Sequence, residues 1–418
     1  MNQHTLSTPP LDSLLLEKLS GLIGRAPVRI TLPDGSEISP AESAPAGTVV
    51  IHDRRTLMNM VLSPEIAFGD AYTEGRLEVE GDLVDVLSAI YRSLAGKNPA
   101  TWYAKLASKW LERTQSNTLS GSREHIHRHY DLGTDFYKLW LDSEMVYTCA
   151  YFPTPSIGLE EAQLAKMDLV CRKLQLQPGE RIVEAGCGWG SFALHMAKHY
   201  GVRVKAFNIS HEQIAYAREN AARRGLADRV EFIEDDYRNI CGRFDAFVSV
   251  GMLEHVGTEN YKDLGKVIQR CIGDSGRGLL HFIGMNRPRP LSAWIRKRIF
   301  PGANPPALRQ VMDLFEPWNY SVLDVENLRL HYALTLQHWL NRFELSIARV
   351  AEMFGEEFVR LWRLYLAGSE AGFRAGTLQL FQVLFAGPKC EHTPWTRAYL
   401  YDQKTTEKQD VKWMHAMS

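Results

Sequence analysis

The sequence predicts an α/β fold, a mostly parallel sheet covered by helices, preceded by a small α+β unit. Two observations carry this. From about residue 180, short apolar runs alternate with helix-length segments, the rhythm of a parallel sheet covered on both faces. Where the first run meets the first helix stands EAGCGWG (184–190), a glycine-rich turn at the strand end where such sheets take ligands. The chain has 418 residues, enough for more than one domain.

The elements follow in order. MNQHTLSTPPLDSLLLEKLS lacks the basic start and cleavage site of a secretory signal. VRITLPDG and GTVVIHD predict short strands within 27–52, the first ending in a turn signal. LMNMVLSPEIAFGDAYTEG and LVDVLSAIYRSL read as helices. Together they predict an α+β unit with its own modest core. In TWYAKLASKWLERTQSN, Trp102, Tyr103, Leu106, Trp110 and Leu111 fall near helical spacing, with Lys105, Lys109 and Arg113 between them. That run reads as a bridging helix and NTLSGS as a boundary, giving domains 1–117 and 118–418. Beyond it, strands are expected at 181–186, 202–209, 230–234, 244–250 and 278–283. Helices are expected at 191–200, 211–224 and 259–272. After Pro388 no pattern is readable.

Composition narrows the function. Hydrophobic residues make up 45% and charged residues 23%, an ordinary globular balance. No apolar run approaches the roughly 20 residues of a membrane span. A formal net charge of −1 argues against nucleic acid or another general polyanion as partner. The six cysteines form no CxxC pair, which argues against a disulfide framework or zinc site and fits a reducing cytoplasm. Charge is uneven, however. Ser275 to Met312 contains no acid but holds Arg277, Arg287, Arg289, Arg296, Lys297, Arg298 and Arg309.

The glycine turn is GxGxG (Gly186, Gly188, Gly190). It is neither the GxGxxG of a dinucleotide fold nor a P-loop. GxGxG after an acid, here Glu184, is the pattern of S-adenosylmethionine (SAM) methyltransferases. The turn approaches the methionine part, and the following helix N-terminus favours its carboxylate. Asn208 and Gln213, after the second strand, suit the ribose hydroxyls. Asp235 and Asp236 suit the adenine amino group, and Tyr237 in the same run joins the cofactor-binding set. Ser210 and Asp236 also fit as helix caps.

With these residues in place, the chain resembles the cyclopropane-fatty-acyl-phospholipid synthase family of SAM-dependent methyltransferases, whose fold is Rossmann-like. The carrying motifs are HYDLGTDFYKLWLD (129–142), MVYTCAYF (145–152), EAGCGWGSFA (184–193) and VSVGMLEHVG (248–257). LLHFIG (279–284), IFPGA (299–303), HYALTLQHW (331–339) and FRAGTLQLFQVLF (373–385) add to them, so the likeness spans about residue 60 to 388.

The resemblance implies methylene transfer from SAM to a cis double bond of an unsaturated phospholipid acyl chain. A bound bicarbonate would act as base, held by Cys149, Glu254, His281, the backbone of Ile283, and Tyr332. His129, Tyr130, Tyr147 and Thr148 resemble a lid over SAM. A homodimer through the N-terminal unit is implied in the same way. Relatives of this fold also make methyl-branched, methylene or hydroxylated chains. Glu184 departs from the usual Asp, Phe282 stands where a small polar residue is frequent, and PGANPP departs from a glycine-rich version.

Three readings are open: a lipid methyltransferase, a methyltransferase for a small soluble acceptor, and a non-catalytic lipid-binding relative. The acid-free basic stretch opposes the second, and the intact Cys149, Glu254, His281 and Tyr332 set opposes the third. NRPRPLSAWIRKRIF (286–300) pairs five basic residues with Leu291, Trp294, Ile295, Ile299 and Phe300. It is expected, with KLASKW (105–110), to dock a cytoplasmic enzyme peripherally on an anionic membrane.

Overall fold

The computed structural model describes residues 10–39, 44–95 and 132–401. The expected bridging helix, the NTLSGS boundary, KLASKW, His129 and Tyr130 lie outside the described residues.

The N-terminal unit opens with helix α1 (Pro10–Leu22) and carries a four-stranded sheet. The strands are β1 (Arg29–Thr31), β2 (Glu37–Ile38), β3 (Thr48–Ile51) and β4 (Leu77–Glu80), in the order β2-β1-β3-β4. Helices α2 (Arg54–Leu62) and α3 (Pro64–Thr73) lie between β3 and β4, and α4 (Leu83–Ala95) follows. Asp53 starts α2 by accepting from the Thr56 backbone N–H and hydroxyl, both at 2.7 Å, an N-cap that satisfies an orphan donor. Neither α1 nor β4 was expected from sequence.

The expectation of a separate core is corrected. Leu19, Ile51, Leu57 and Leu87 belong to one buried cluster with Trp339, Phe343, Trp362 and Leu366. The latter come from the helices Arg329–Leu345 and Glu356–Arg374. Polar contacts reinforce the join. Arg360 donates to the carbonyls of Tyr72 and Leu77 and lies 4.5 Å from the Tyr72 ring centroid.

The large sheet has seven strands: β5 (Arg181–Ala185), β6 (Arg203–Asn208), β7 (Val230–Glu234), β8 (Ala246–Val250), β9 (Arg277–Gly284), β10 (Ser321–Asn327) and β11 (Gln379–Ala386). Their order is β10-β11-β9-β8-β5-β6-β7. Pairing is parallel from β9 through β7, while β11 runs antiparallel between β9 and β10. The five expected strands and the helices Ser191–Tyr200, His211–Arg223 and Tyr261–Ile272 are present. Side chains alternate between the two faces: Ile182, Val204 and Val248 pack on one, Val183, Phe247 and Phe282 on the other. From β5 the chain winds outward through β6 and β7, then crosses back to β8. The switch point therefore lies between β5 and β8, where a crevice opens beyond the strand ends.

The basic stretch does not present its tryptophan to solvent. Trp294 is buried, and a Cβ added at Gly69 of α3 would stand 2.3 Å from its ring. Arg298 bonds Asp70 at 3.0 and 2.8 Å, and Glu65 accepts the Ala293 N–H at 2.8 Å. This segment fastens the sheet domain to α3, so Trp294 is not an interfacial anchor. Among the described residues no helix is long and apolar enough to cross a membrane.

Candidate active site

The glycine turn leaves β5 at the switch point. Gly186, Gly188 and Gly190 all have positive φ, at 84°, 53° and 86°. Two of them face different constraints. A Cβ at Gly190 would meet the Phe232 ring at 2.6 Å, so that glycine lets the turn pack on the sheet. A Cβ at Gly188 would meet nothing within 4 Å, so this backbone faces open space. Gly190 also caps the helix Ser191–Tyr200, whose N-terminal N–H groups suit a carboxylate.

Asn208 holds the turn, donating to the Gly188 carbonyl at 3.3 Å and to Gln213 Oε1 at 2.6 Å. The two residues expected on ribose hydroxyls are thus bonded to each other. Ser210 caps its helix, accepting from the Gln213 N–H. Asp236 is buried and accepts from the backbone and guanidinium of Arg238, both at 2.9 Å, so its cap role is realised. Asp235 accepts from the Asp236 N–H and from Asn239. Tyr237 is buried, and its hydroxyl finds no partner among the described residues.

Glu184 is buried, and its Oε2 has no partner among the described residues. Burial pushes its carboxyl up to about 8. Lys166, fully enclosed, is pulled down to about 8 by the same desolvation, against the attraction of Asp142, Cys149 and Glu184. Its ammonium reaches the Thr148 hydroxyl at 3.0 Å. Lys166 and Gln163 were missed in the sequence. Their signal is a polar pair three residues apart on the buried face of the helix Leu159–Lys173.

These two side chains fix the segment 145–152, which has no regular structure of its own. Gln163 donates to the carbonyls of Thr148 at 2.8 Å and Val146 at 3.3 Å. From the other side, Thr335 accepts the Ala150 N–H and His331 accepts the Phe152 N–H, both at 3.0 Å. Tyr147 meets the Tyr365 hydroxyl at 2.7 Å and packs on Trp140 and Trp339.

Cys149, Glu254, His281, Ile283 and Tyr332 all line one cavity of about 510 Å³, with Tyr147 and Thr148. Its wall is mainly apolar and aromatic, including Leu336, Tyr365 and Phe373. Glu254 follows β8 on a short 3-10 turn. Its Oε1 makes a long 3.5 Å contact with the Ile283 N–H, and its Oε2 has no partner among the described residues. Burial raises this carboxyl to about 7. His281, on β9, shares Nδ1 with Gln382 at 3.0 Å, while Nε2 has no partner among the described residues. Burial drives its pKa well below the ordinary value, so the ring is neutral. Burial also pushes the Cys149 thiol up, and its Sγ contacts the Ala150 carbonyl at 3.1 Å. A neutral thiol in this setting is a weak donor, not a nucleophile. The Tyr332 ring stacks at a tilt 4.6 Å from Phe373.

Residues 117–383 match the family model described as mycolic acid cyclopropane synthetase. The chain belongs to that family. Residues 16–97 match a domain of unknown function, DUF7884. A probable fatty acid methyltransferase of Pseudomonas putida is 34% identical over 90% of this chain and 96% of its own length. The cyclopropane-fatty-acyl-phospholipid synthase of Escherichia coli K12 is 40% identical over 62% of this chain and 66% of its own. Among solved structures, the mycolic acid cyclopropane synthase CmaA1 complexed with SAH and CTAB superposes with a TM-score of 0.60 at 30% identity, covering 63% of this chain and 97% of that one. By family and fold this chain is a SAM-dependent methyltransferase of the cyclopropane synthase type. Its site fits SAM: open space above Gly188, a helix N-terminus and an unpartnered Glu184 oxygen converge at the switch point.

Proposed function

We propose that this chain transfers a methylene unit from SAM to the cis double bond of an unsaturated phospholipid acyl chain, closing a cyclopropane ring. One observation carries the reading: two unpartnered buried polar atoms, Glu254 Oε2 and His281 Nε2, on the wall of an otherwise apolar cavity. An alkene is a poor nucleophile, so the walls must hold it in line and close to the methyl group. Attack leaves a carbocation that water would capture. The rings of Tyr147, Tyr332, Tyr365 and Phe373 line this cavity and offer π faces to that charge while excluding water.

A proton must then leave the transferred methyl. Among the described residues His281 makes a weak base, because burial disfavours its protonated form and Gln382 shares its Nδ1. Bound bicarbonate would supply that base. The residues fit such an anion: the Ile283 N–H donates, and Glu254, half-protonated near neutrality, shares its proton. Glu254, His281, Cys149 and Tyr332 position the anion. Glu184, Asn208, Gln213 and Asp235 serve SAM, the middle two through the turn they hold.

A second reading is favoured by the relative that matches over nearly the whole chain, whose name is a fatty acid methyltransferase. The same carbocation would then lose a proton from the acyl chain, leaving a methyl-branched alkene, or, after a hydride shift, lose one from the added methyl, leaving a methylene chain. Fatty-acid profiling of a host expressing the protein and fed labelled methionine tests both. The first reading predicts one added methylene and loss of the double bond. Label confined to soluble metabolites would refute both.

A further inference from the structure

The cavity does not end at the reacting groups. It continues between Leu19 and Met60 of the N-terminal unit and Leu364 of the helix Glu356–Arg374. Its solvent-exposed lining consists of Leu22, Glu65, Leu94, Arg289 and Pro290, which marks the mouth. Arg289 is therefore a cation at the entrance to an apolar cavity. Its Nη2 donates to the Thr377 carbonyl at 2.9 Å, which aims the guanidinium. Among the described residues Glu65 is the carboxylate whose charge reaches it, without a direct ion pair. The acid at the same mouth, Glu65, accepts the Ala293 N–H. Partial burial and the nearby charge of Arg287 disfavour the Arg289 cation, while Glu65 and Tyr91 favour it by a smaller amount. An exposed guanidinium, aimed by a backbone carbonyl at the mouth of an apolar cavity, is placed to take an anion.

Resting on the functional reading above, we propose that Arg289 is a phosphate-binding subsite. It takes the phosphodiester of a membrane glycerophospholipid while one acyl chain of that lipid lies in the cavity. A guanidinium offers several donors in a planar fork matched to phosphate.

The surroundings select a bilayer as the source. On α1 the outward residues Leu11, Leu14, Lys18 and Leu22 recur at helical spacing. On α2, Arg55, Met58 and Leu62 do the same. Leu62 is 78% exposed and Leu14 61%, unusual on a helix whose other face is already core. Exposed leucines interleaved with basic residues beside the mouth suit an anionic leaflet. An acidic carrier protein would be met by basic residues without the leucines.

The test compares parent, Arg289→Gln and Arg289→Lys on three acceptors: dioleoyl phosphatidylglycerol vesicles, oleate in detergent, and oleoyl-acyl carrier protein. Label transfer from SAM is read on each, with SAM affinity measured on the same preparations to establish folded protein. Arg289→Gln should raise the apparent KM for vesicles on the order of tenfold, with a clearly smaller change on oleate, and Arg289→Lys should restore part of the loss. Equal losses on vesicles and oleate, or no loss on vesicles, overturn the proposal. A larger loss on the carrier protein than on vesicles overturns the choice of a bilayer lipid. If the parent labels none of the three, the functional reading itself fails. Vesicle cosedimentation then decides the subsite alone: weaker retention of Arg289→Gln than of parent upholds it, and equal retention overturns it.

Discussion

Replacing Glu254 with Gln should weaken catalysis and strengthen the fold, and the second effect should depend on pH. Burial raises the Glu254 carboxyl from 4.5 to about 7. The folded state thus binds the proton more tightly than the unfolded chain. Below pH 4.5 both states are protonated and nothing is lost. As pH rises from 4.5 to 7 the folded state loses stability relative to the unfolded one, and above 7 the loss is constant. The difference, 7 − 4.5 = 2.5, at about 1.4 kcal/mol per pH unit comes to about 3 kcal/mol, an upper bound. Gln cannot ionise, so Glu254→Gln recovers this amount above pH 7 and none below pH 4.5. Turnover should fall by ~100-fold or more, the scale of a displaced general base, while SAM affinity changes little. Urea unfolding at pH 5 and pH 8, calorimetric SAM titration and label transfer to vesicles measure the three quantities. A stability difference that is the same at both pH values would refute the buried, proton-sharing carboxyl. Parent-like turnover in bicarbonate-free buffer would remove Glu254 and the anion from the mechanism.

Two further substitutions separate binding from folding. Gly188→Val should abolish SAM binding while the protein stays folded, because its Cβ points into open space; positive φ costs a β-branched residue roughly 1–2 kcal/mol. Calorimetry showing parent affinity would contradict the placement of SAM. Gly69→Ala forces a methyl against the Trp294 ring and should destabilise the protein by about 1–3 kcal/mol; an unchanged urea midpoint would show that this seam does not matter.

The sheet from β5 to β9 was legible because each strand is a short apolar run bounded by turns, and its helices begin and end on polar signals. The cavity set was legible through motifs, and the fold brings Cys149, Glu254, His281, Ile283 and Tyr332 to one wall. Three things were not. β4 is a four-residue strand, too short to stand out between helices. Trp294 in a basic run reads the same whether it meets lipid or protein, and only the packing of α3 decides. Lys166 and Gln163 sit among Glu160, Glu161 and Asp168, where a polar helix face looks solvated. Their burial becomes visible only once the segment 145–152 is seen lying across them. The cofactor positions were mixed. Asp236 and Ser210 serve as caps, a role the sequence had allowed, while Asn208 and Gln213 pair with each other.

The central claim is that a carbocation formed in this cavity closes to a ring by losing a proton from the transferred methyl. Incubating the purified protein with trideuteromethyl SAM and dioleoyl phospholipid vesicles tests it, with mass spectrometry and NMR of the released acyl chains. The account predicts a saturated cyclopropane chain that has lost one methyl deuterium. A chain carrying the intact trideuteromethyl group, or an acyl chain without label, would contradict it.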